Sequence, residues 1–306
     1  MSSPTARPDS AQPAPSADWR AVASFVALTF AFSWAVWLVG YRVVGDGPAT
    51  TLALFVGAFG PAVGAVARLR LEGRSVRSWA RRRLRFRVPA RWYLVAVAVP
   101  LVIAAVHTVA FVARGVPLDP SALVARLPLI AVGIVVTALV GGGQEEFGWR
   151  GYLLPRLQSA VGPLAASLVV GVVWALWHLP LFVLPGAYNW GSPFALYVPV
   201  VVCLAVVFTW LCNRVGGALP VLILLHAVVN NAATVTPVPR TAFAGVTPTV
   251  EYATQAVGAL LVVLVVLAVD GVDLGRDAGA DDPARPETDA ESATAPGSES
   301  PGTTQA

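Results

Sequence analysis

The sequence predicts an all-α protein, a polytopic transmembrane helical bundle of about eight spanning helices with both termini cytoplasmic. Three observations carry this. The 306 residues are 56% hydrophobic and 12% charged, with a mean hydropathy of +0.69, whereas soluble domains carry about 25% charged residues. Apolar runs recur at the length of about 20 residues that a helix needs to cross a bilayer. Ten of the 21 basic residues, all of them Arg, crowd between Arg68 and Arg91, and excess positive charge of this kind marks a cytoplasmic loop. Backbone groups in lipid must be satisfied within the segment itself, so helices packed as a bundle are the architecture that fits.

In chain order, residues 1–18 are rich in Pro, Ser and Ala and read as a disordered leader. The apolar run that follows is too long for a signal-peptide core and comes after a polar stretch, so it reads as a retained helix. Spanning segments are expected near 20–44, 49–68, 92–113, 127–148, 162–184, 194–213, 217–236 and 250–270. Residues 19–91 hold the first two of these and the Arg-rich loop, and 92–270 form the remaining core. The fourth segment is expected to continue helically through its glutamates to Leu157. With the Arg-rich loop inside, eight spans bring Arg150, Arg156 and Arg214 to the cytoplasmic side and leave Arg42, Arg114, Arg126 and Arg240 outside. Ser75–Arg91 reads as a topological anchor; the alternative is a surface helix with Trp79, Leu84 and Phe86 dipping into lipid. Residues 271–306 read as a disordered acidic tail, nine acids falling from Asp270 onward. The basic cluster is flanked by spans, so the pI of about 9.5 does not point to nucleic acid. Cys203 and Cys212 are nine residues apart on one segment, too far along a helix to pair, and read as apolar residues.

The most informative stretch is Gly141–Leu157, GGGQEEFGWRGYLLPRL. It places Glu145, Glu146 and Arg150 inside an apolar segment, and these two glutamates are the only acids between Asp119 and Glu251. Ionisable groups inside a membrane are costly and mark partners or function. On a helix, Glu146 and Arg150 share a face and can pair, while Glu145 points about 100° away and stays available. The bland reading of the same residues is a structural ion-pair network.

Three histidines exist. His178 lies in GVVWALWHLP, four residues after Trp174, and His226 lies in VLILLHAVVNN, four residues before Asn230. Polar groups on spanning helices face the bundle interior or a wet cavity. Glu145, Glu146, Arg150, His178, His226 and Asn230 are therefore expected to converge between the fourth, fifth and seventh segments. Depths counted from the cytoplasmic ends, about 18, 24 and 14 Å for Glu145, His178 and His226, agree loosely. His107 has no polar companion nearby and reads as structural. The outer loop Pro185–Pro193 is a candidate entrance wall, though nothing in the sequence argues for it.

This set supports hydrolysis. A glutamate can take a proton from water, a histidine can orient that water, and a second histidine with an amide can donate to an oxyanion. Glu145, His178 and His226 would equally serve as a zinc ligand set with one open position. The absence of Cys or Asp from the set and of an HExxH motif favours no metal. Two non-hydrolytic readings stand beside this one. One is a non-catalytic immunity or partner-binding membrane protein. The other is a transporter, which the single charged cluster disfavours because transporters often duplicate theirs.

EEFGWR resembles the EExxxR motif of the CAAX-protease and bacteriocin-processing (CPBP, or Abi) family of intramembrane proteases. WALWH stands where that family has FxxxH, with Trp174 in the Phe position, and HAVVN matches its HxxxN motif. The resemblance covers residues 90–235 and implies hydrolysis of a peptide bond in a membrane-embedded or lipidated substrate. It implies Glu145 as general base with His178 beside the water, His226 and Asn230 on the oxyanion side, and Glu146 and Arg150 in support. It further favours a glutamate-type mechanism over a metalloprotease.

Overall fold

A computed structural model describes residues 18–45, 48–238 and 248–276. The expected leader, apart from Asp18, and the tail beyond Arg276 lie outside the described residues. The described residues are almost entirely helical and contain no strand, as the apolar pattern requires.

Helix α1 (Trp19–Val44) starts at Asp18, whose side chain accepts from Ala21 N–H at 3.0 Å. It packs against α2 (Pro48–Gly57) and α3 (Gly60–Leu71), which bend by 41° at Ala58–Phe59 and together make one broken span. A short helix, α4 (Val76–Arg83), precedes α5 (Ala90–Val112). Helix α6 (Pro120–Leu139) is capped by Asp119, with proline in the first turn, where no backbone donor is lost. Then come the irregular segment around the glutamates, α8 (Leu154–Val161), α9 (Pro163–Trp177), the single turn α10 (Pro180–Val183) and α11 (Phe194–Arg214). The described chain finishes with α12 (Leu219–Asn230) and α13 (Pro248–Asp270).

Among the described residues six helices are long and apolar enough to cross a membrane, or seven if the bent α2–α3 pair counts as one span. The seventh expected segment, 217–236, differs. Helix α12 has 12 residues, about 18 Å of rise against a hydrocarbon core of about 30 Å. Apolar composition continues past Asn230, but the chain turns there into a 3₁₀ turn over Ala232–Val235. The protein is a multi-pass membrane helical bundle.

Two further expectations are revised. The fourth segment does not run as one regular helix to Leu157. It stops at Leu139, turns sharply, re-forms as a 3₁₀ turn (Gly143–Glu145) and a single α turn, α7 (Glu146–Gly148), and passes through a π-helical turn (Trp149–Leu153) into α8. Residues 271–276, which composition assigned to the tail, are folded. They form a 3₁₀ turn with Leu274 buried, and Arg276 Nη1 donates to the Gln158 carbonyl at 2.7 Å.

The N-terminal helices and the core are joined by specific contacts. Trp34 Nε1 donates to the Trp177 carbonyl at 2.9 Å, and Gln144 Nε2 donates to the Ala58 carbonyl at 3.3 Å. At the end bearing the arginines, Glu72 accepts from Arg156 Nη2 at 2.8 Å and Arg68 Nη2 at 3.3 Å, and from the Tyr152 hydroxyl. Trp79 of α4 does not dip outward. It is buried against Phe147, with Nε1 directed at the Gly151 carbonyl, while Phe86 is 70% exposed. The Arg-rich stretch thus docks on the back of the glutamate segment as well as marking topology.

Candidate active site

The turn that breaks the fourth segment decides where the glutamates point. Gly142 has φ +139°, a region that side-chain-bearing residues avoid. A Cβ there would sit 2.5 Å from His226 Nε2 and 2.8 Å from Asn230 Nδ2. Glycine is therefore required twice, for the backbone and for the close approach of α12. Gln144 locks the turn: its Oε1 accepts from Gly142 N–H at 2.9 Å, and its Nε2 reaches the Val140 carbonyl at 3.2 Å.

Past this turn, the two glutamates separate as the helical geometry predicts. Glu146 is fully buried and binds Arg150 through both oxygens, at 2.9 and 3.1 Å. The guanidinium lies between the rings of Trp174 and Phe208, with Cζ 4.5 and 4.1 Å from their centroids. Those faces meet the cation where hydrogen-bond partners are lacking for Arg150 Nε and Nη2. Glu146 Oε1 also lies 2.6 Å from His226 Nδ1. Neither Glu146 nor Arg150 reaches the cavity wall.

Glu145 does. It lines a cavity of about 1010 Å³ together with His178, His226 and Asn230. Its Oε2 accepts two indole N–H bonds, from Trp174 at 2.8 Å and Trp149 at 3.1 Å. These donors hold one oxygen and turn the carboxylate toward the cavity. His178 sits at the C-terminal end of α9, where Nδ1 donates to the Trp174 carbonyl at 2.8 Å. That bond fixes the tautomer and leaves the Nε2 lone pair for the cavity. Asn230 is exposed to the cavity and donates to the Gly141 carbonyl at 3.1 Å, which leaves one amide hydrogen free.

All six residues singled out in the sequence are thus in one assembly. Four face the cavity, and two stand behind it. Trp149, Gln144 and Gly142 were not singled out. Trp149 had the signal of lying four residues after Glu145, and Gly142 sits in a triplet of glycines, but only the neighbouring helices give either a role. His107, read as structural, bonds through Nδ1 to Thr254 Oγ1 at 2.6 Å and also lines the cavity. Cys203 and Cys212 are unpaired with each other. Among the described residues no three His, Cys, Asp or Glu side chains converge as metal ligands. His226 Nδ1 is taken by Glu146, and Glu145 Oε2 by two indoles.

Residues 127–232 match the family model described as Type II CAAX prenyl endopeptidase Rce1-like. The chain is also similar to the CAAX prenyl protease 2 of Methanococcus maripaludis, with 29% identity over 108 residues, which are 32% of this chain and 39% of that protein. The family-model match falls on the part of the bundle that contains the glutamate turn, His178, His226 and Asn230. Within this membrane protein, residues 127–232 are similar to the CAAX-protease family, and the chain spans 39% of the length of the relative it matches.

Proposed function

We propose that this chain is an intramembrane endopeptidase that hydrolyses a peptide bond in a lipidated, membrane-associated substrate, with prenylated CAAX-type peptides as the first candidates. The observation that carries this is the convergence of Glu145, His178, His226 and Asn230 on one cavity, with Glu146 and Arg150 fixed behind them.

In this mechanism a water lies between Glu145 and His178 Nε2. Glu145 takes one proton from it as the oxygen adds to the scissile carbonyl, and His178 Nε2 accepts its other hydrogen and aligns it. The tetrahedral oxyanion lies against the free Asn230 Nδ2 hydrogen and His226, whose Nε2–H donates when the ring carries both protons. The Glu146 carboxylate at Nδ1 holds that ring in place. Collapse breaks the C–N bond, and the proton held by Glu145 goes to the leaving amine. No step in this mechanism uses a metal ion, and the reaction is of the glutamate type. The Arg-rich end of the bundle faces the cytoplasm.

The test is cleavage of a farnesylated CAAX-type pentapeptide, together with a comparison of membrane peptides from cells carrying wild type, Glu145→Gln or His178→Ala at equal levels. Products made by wild type and missing with both variants are expected. Identical products from all three, with all three folded, would leave a non-catalytic membrane protein as the better account.

A further inference from the structure

The catalytic residues occupy one part of the cavity wall. A second polar group lies on the same wall and belongs to no step above. It is built from the loop before α11 and the first turns of α13: Asn189, Tyr252, Glu251 and Gln255 all line the cavity. Asn189 is 7% exposed. The Tyr252 hydroxyl donates to its Oδ1 at 3.0 Å, while its Nδ2 is buried without a hydrogen-bond partner. A buried amide hydrogen left without a partner is destabilising, so such a group is retained where something else completes it. The loop is anchored so that Asn189 stays in place. Gly191 N–H donates to the Phe182 carbonyl at 3.2 Å and Trp190 N–H to the Ala187 carbonyl at 3.0 Å. Tyr188 and Trp190, 70% and 59% exposed, flank it on the same cavity.

We infer that Asn189 is a substrate-binding residue, whose Nδ2 donates to a main-chain amide carbonyl of the peptide held in the cavity. The ligand's chemistry follows from its surroundings. A free donor calls for an oxygen acceptor. Glu251, the residue before Tyr252 and a carboxylate on the same wall, disfavours a peptide carboxylate there and selects a neutral carbonyl. Tyr252 occupies Oδ1, so the group left for a ligand to complete is the Nδ2 donor and not the acceptor. The inference rests on the peptidase reading, and the loop Pro185–Pro193 gains by it the role of wall that its sequence did not argue.

The experiment has two arms. In the first, binding of a dansyl-labelled farnesylated pentapeptide is titrated onto detergent-purified Glu145→Gln and Glu145→Gln/Asn189→Ala proteins by fluorescence anisotropy. The second variant is expected to bind about tenfold more weakly, the scale of one hydrogen bond. In the second, cleavage by wild type and Asn189→Ala is compared on peptides with a single thioamide at each position, sulfur being the poorer acceptor. KM is expected to rise about tenfold with kcat nearly unchanged, and the difference to vanish for one thioamide position only. Amidating the peptide's C-terminus should leave the penalty intact. Equal affinities, the absence of saturable binding, a penalty spread over every thioamide, or one removed by C-terminal amidation would each overturn the inference. Should Asn189→Ala not fold, Tyr252→Phe, which frees the amide to turn, is expected to weaken binding severalfold, and unchanged binding would count against it. Failure of the peptidase reading looks different: Glu145→Gln would cleave like wild type, or wild type would cleave nothing, while the binding arm still judges Asn189.

Discussion

Glu146 Oε1 stands 2.6 Å from His226 Nδ1, so the carboxylate that pairs with Arg150 one turn along its own segment also positions a histidine from another helix. The glutamate that never reaches the cavity is the joint of the site. Glu146→Gln and Arg150→Met should each lower stability by about 3–5 kcal/mol, the scale for leaving one buried charge without its partner. The double variant should recover part of the loss. Thermal unfolding in detergent measures both, and an unshifted midpoint for either single variant contradicts the ion-pair account. Glu145→Gln, which keeps its volume and touches only neutral donors, should unfold close to wild type.

Gly142→Ala should abolish cleavage while costing only moderate stability. Its methyl group would fall within 2.8 Å of both His226 Nε2 and Asn230 Nδ2, and the backbone there, at φ +139°, is strained for alanine. The expected loss is more than 100-fold in kcat/KM, about 3 kcal/mol in the barrier. Cleavage rates and melting of the same preparation separate the two effects, and activity within tenfold of wild type would mean that α12 moves aside freely.

The two indoles on Glu145 Oε2 can be removed one at a time. Trp174→Phe and Trp149→Phe keep an aromatic ring and lose the N–H bonds of 2.8 and 3.1 Å. Each should lower kcat about tenfold with KM little changed, since one hydrogen bond contributes about 1 kcal/mol. Trp174→Phe also restores the residue type found in the related motif, so it should fold well. A rate unaffected in the double variant would show that the carboxylate is oriented by something else.

Glu72 gathers Arg68, Tyr152 and Arg156 at one end of the bundle. Glu72→Ala should loosen α3 from the glutamate segment and destabilise by about 1–3 kcal/mol, more than a surface ion pair would, because the group is only partly exposed and is shared by three partners. Proteolytic sensitivity of the loop before α4 and the unfolding midpoint should change together.

What could be read from the sequence were the relations within one helix. The spacing of four between Glu146 and Arg150 became a bidentate pair, and the same spacing put Trp174 next to His178. Those relations survive because helical geometry fixes them whatever surrounds the helix. What could not be read were relations imposed by neighbours. The backbone at Gly142, the π turn after Gly148, the inward Trp79 and the end of α12 at Asn230 all depend on which helix lies alongside. Trp79 shows this well. Among arginines a lipid-facing Trp79 is the alternative that the sequence offers to a plain topological anchor, and neither foresees the buried surface on Phe147 and Gly151 that it occupies. Composition likewise assigned residues 271–276 to the tail, although Leu274 finds a buried place and Arg276 a carbonyl.

The shortness of α12 has a consequence for supply. A hydrolase consumes one water per turnover, and hydrocarbon holds almost none. Twelve residues cover about 18 Å of a layer about 30 Å thick, so about two-fifths of the depth is not closed by the backbone of this helix. Asn230 ends the helix at that gap and is exposed to the cavity. For the proposed hydrolysis, a truncated helix would serve as a conduit, leaving water a way to Glu145 at a depth where an unbroken span would keep it out.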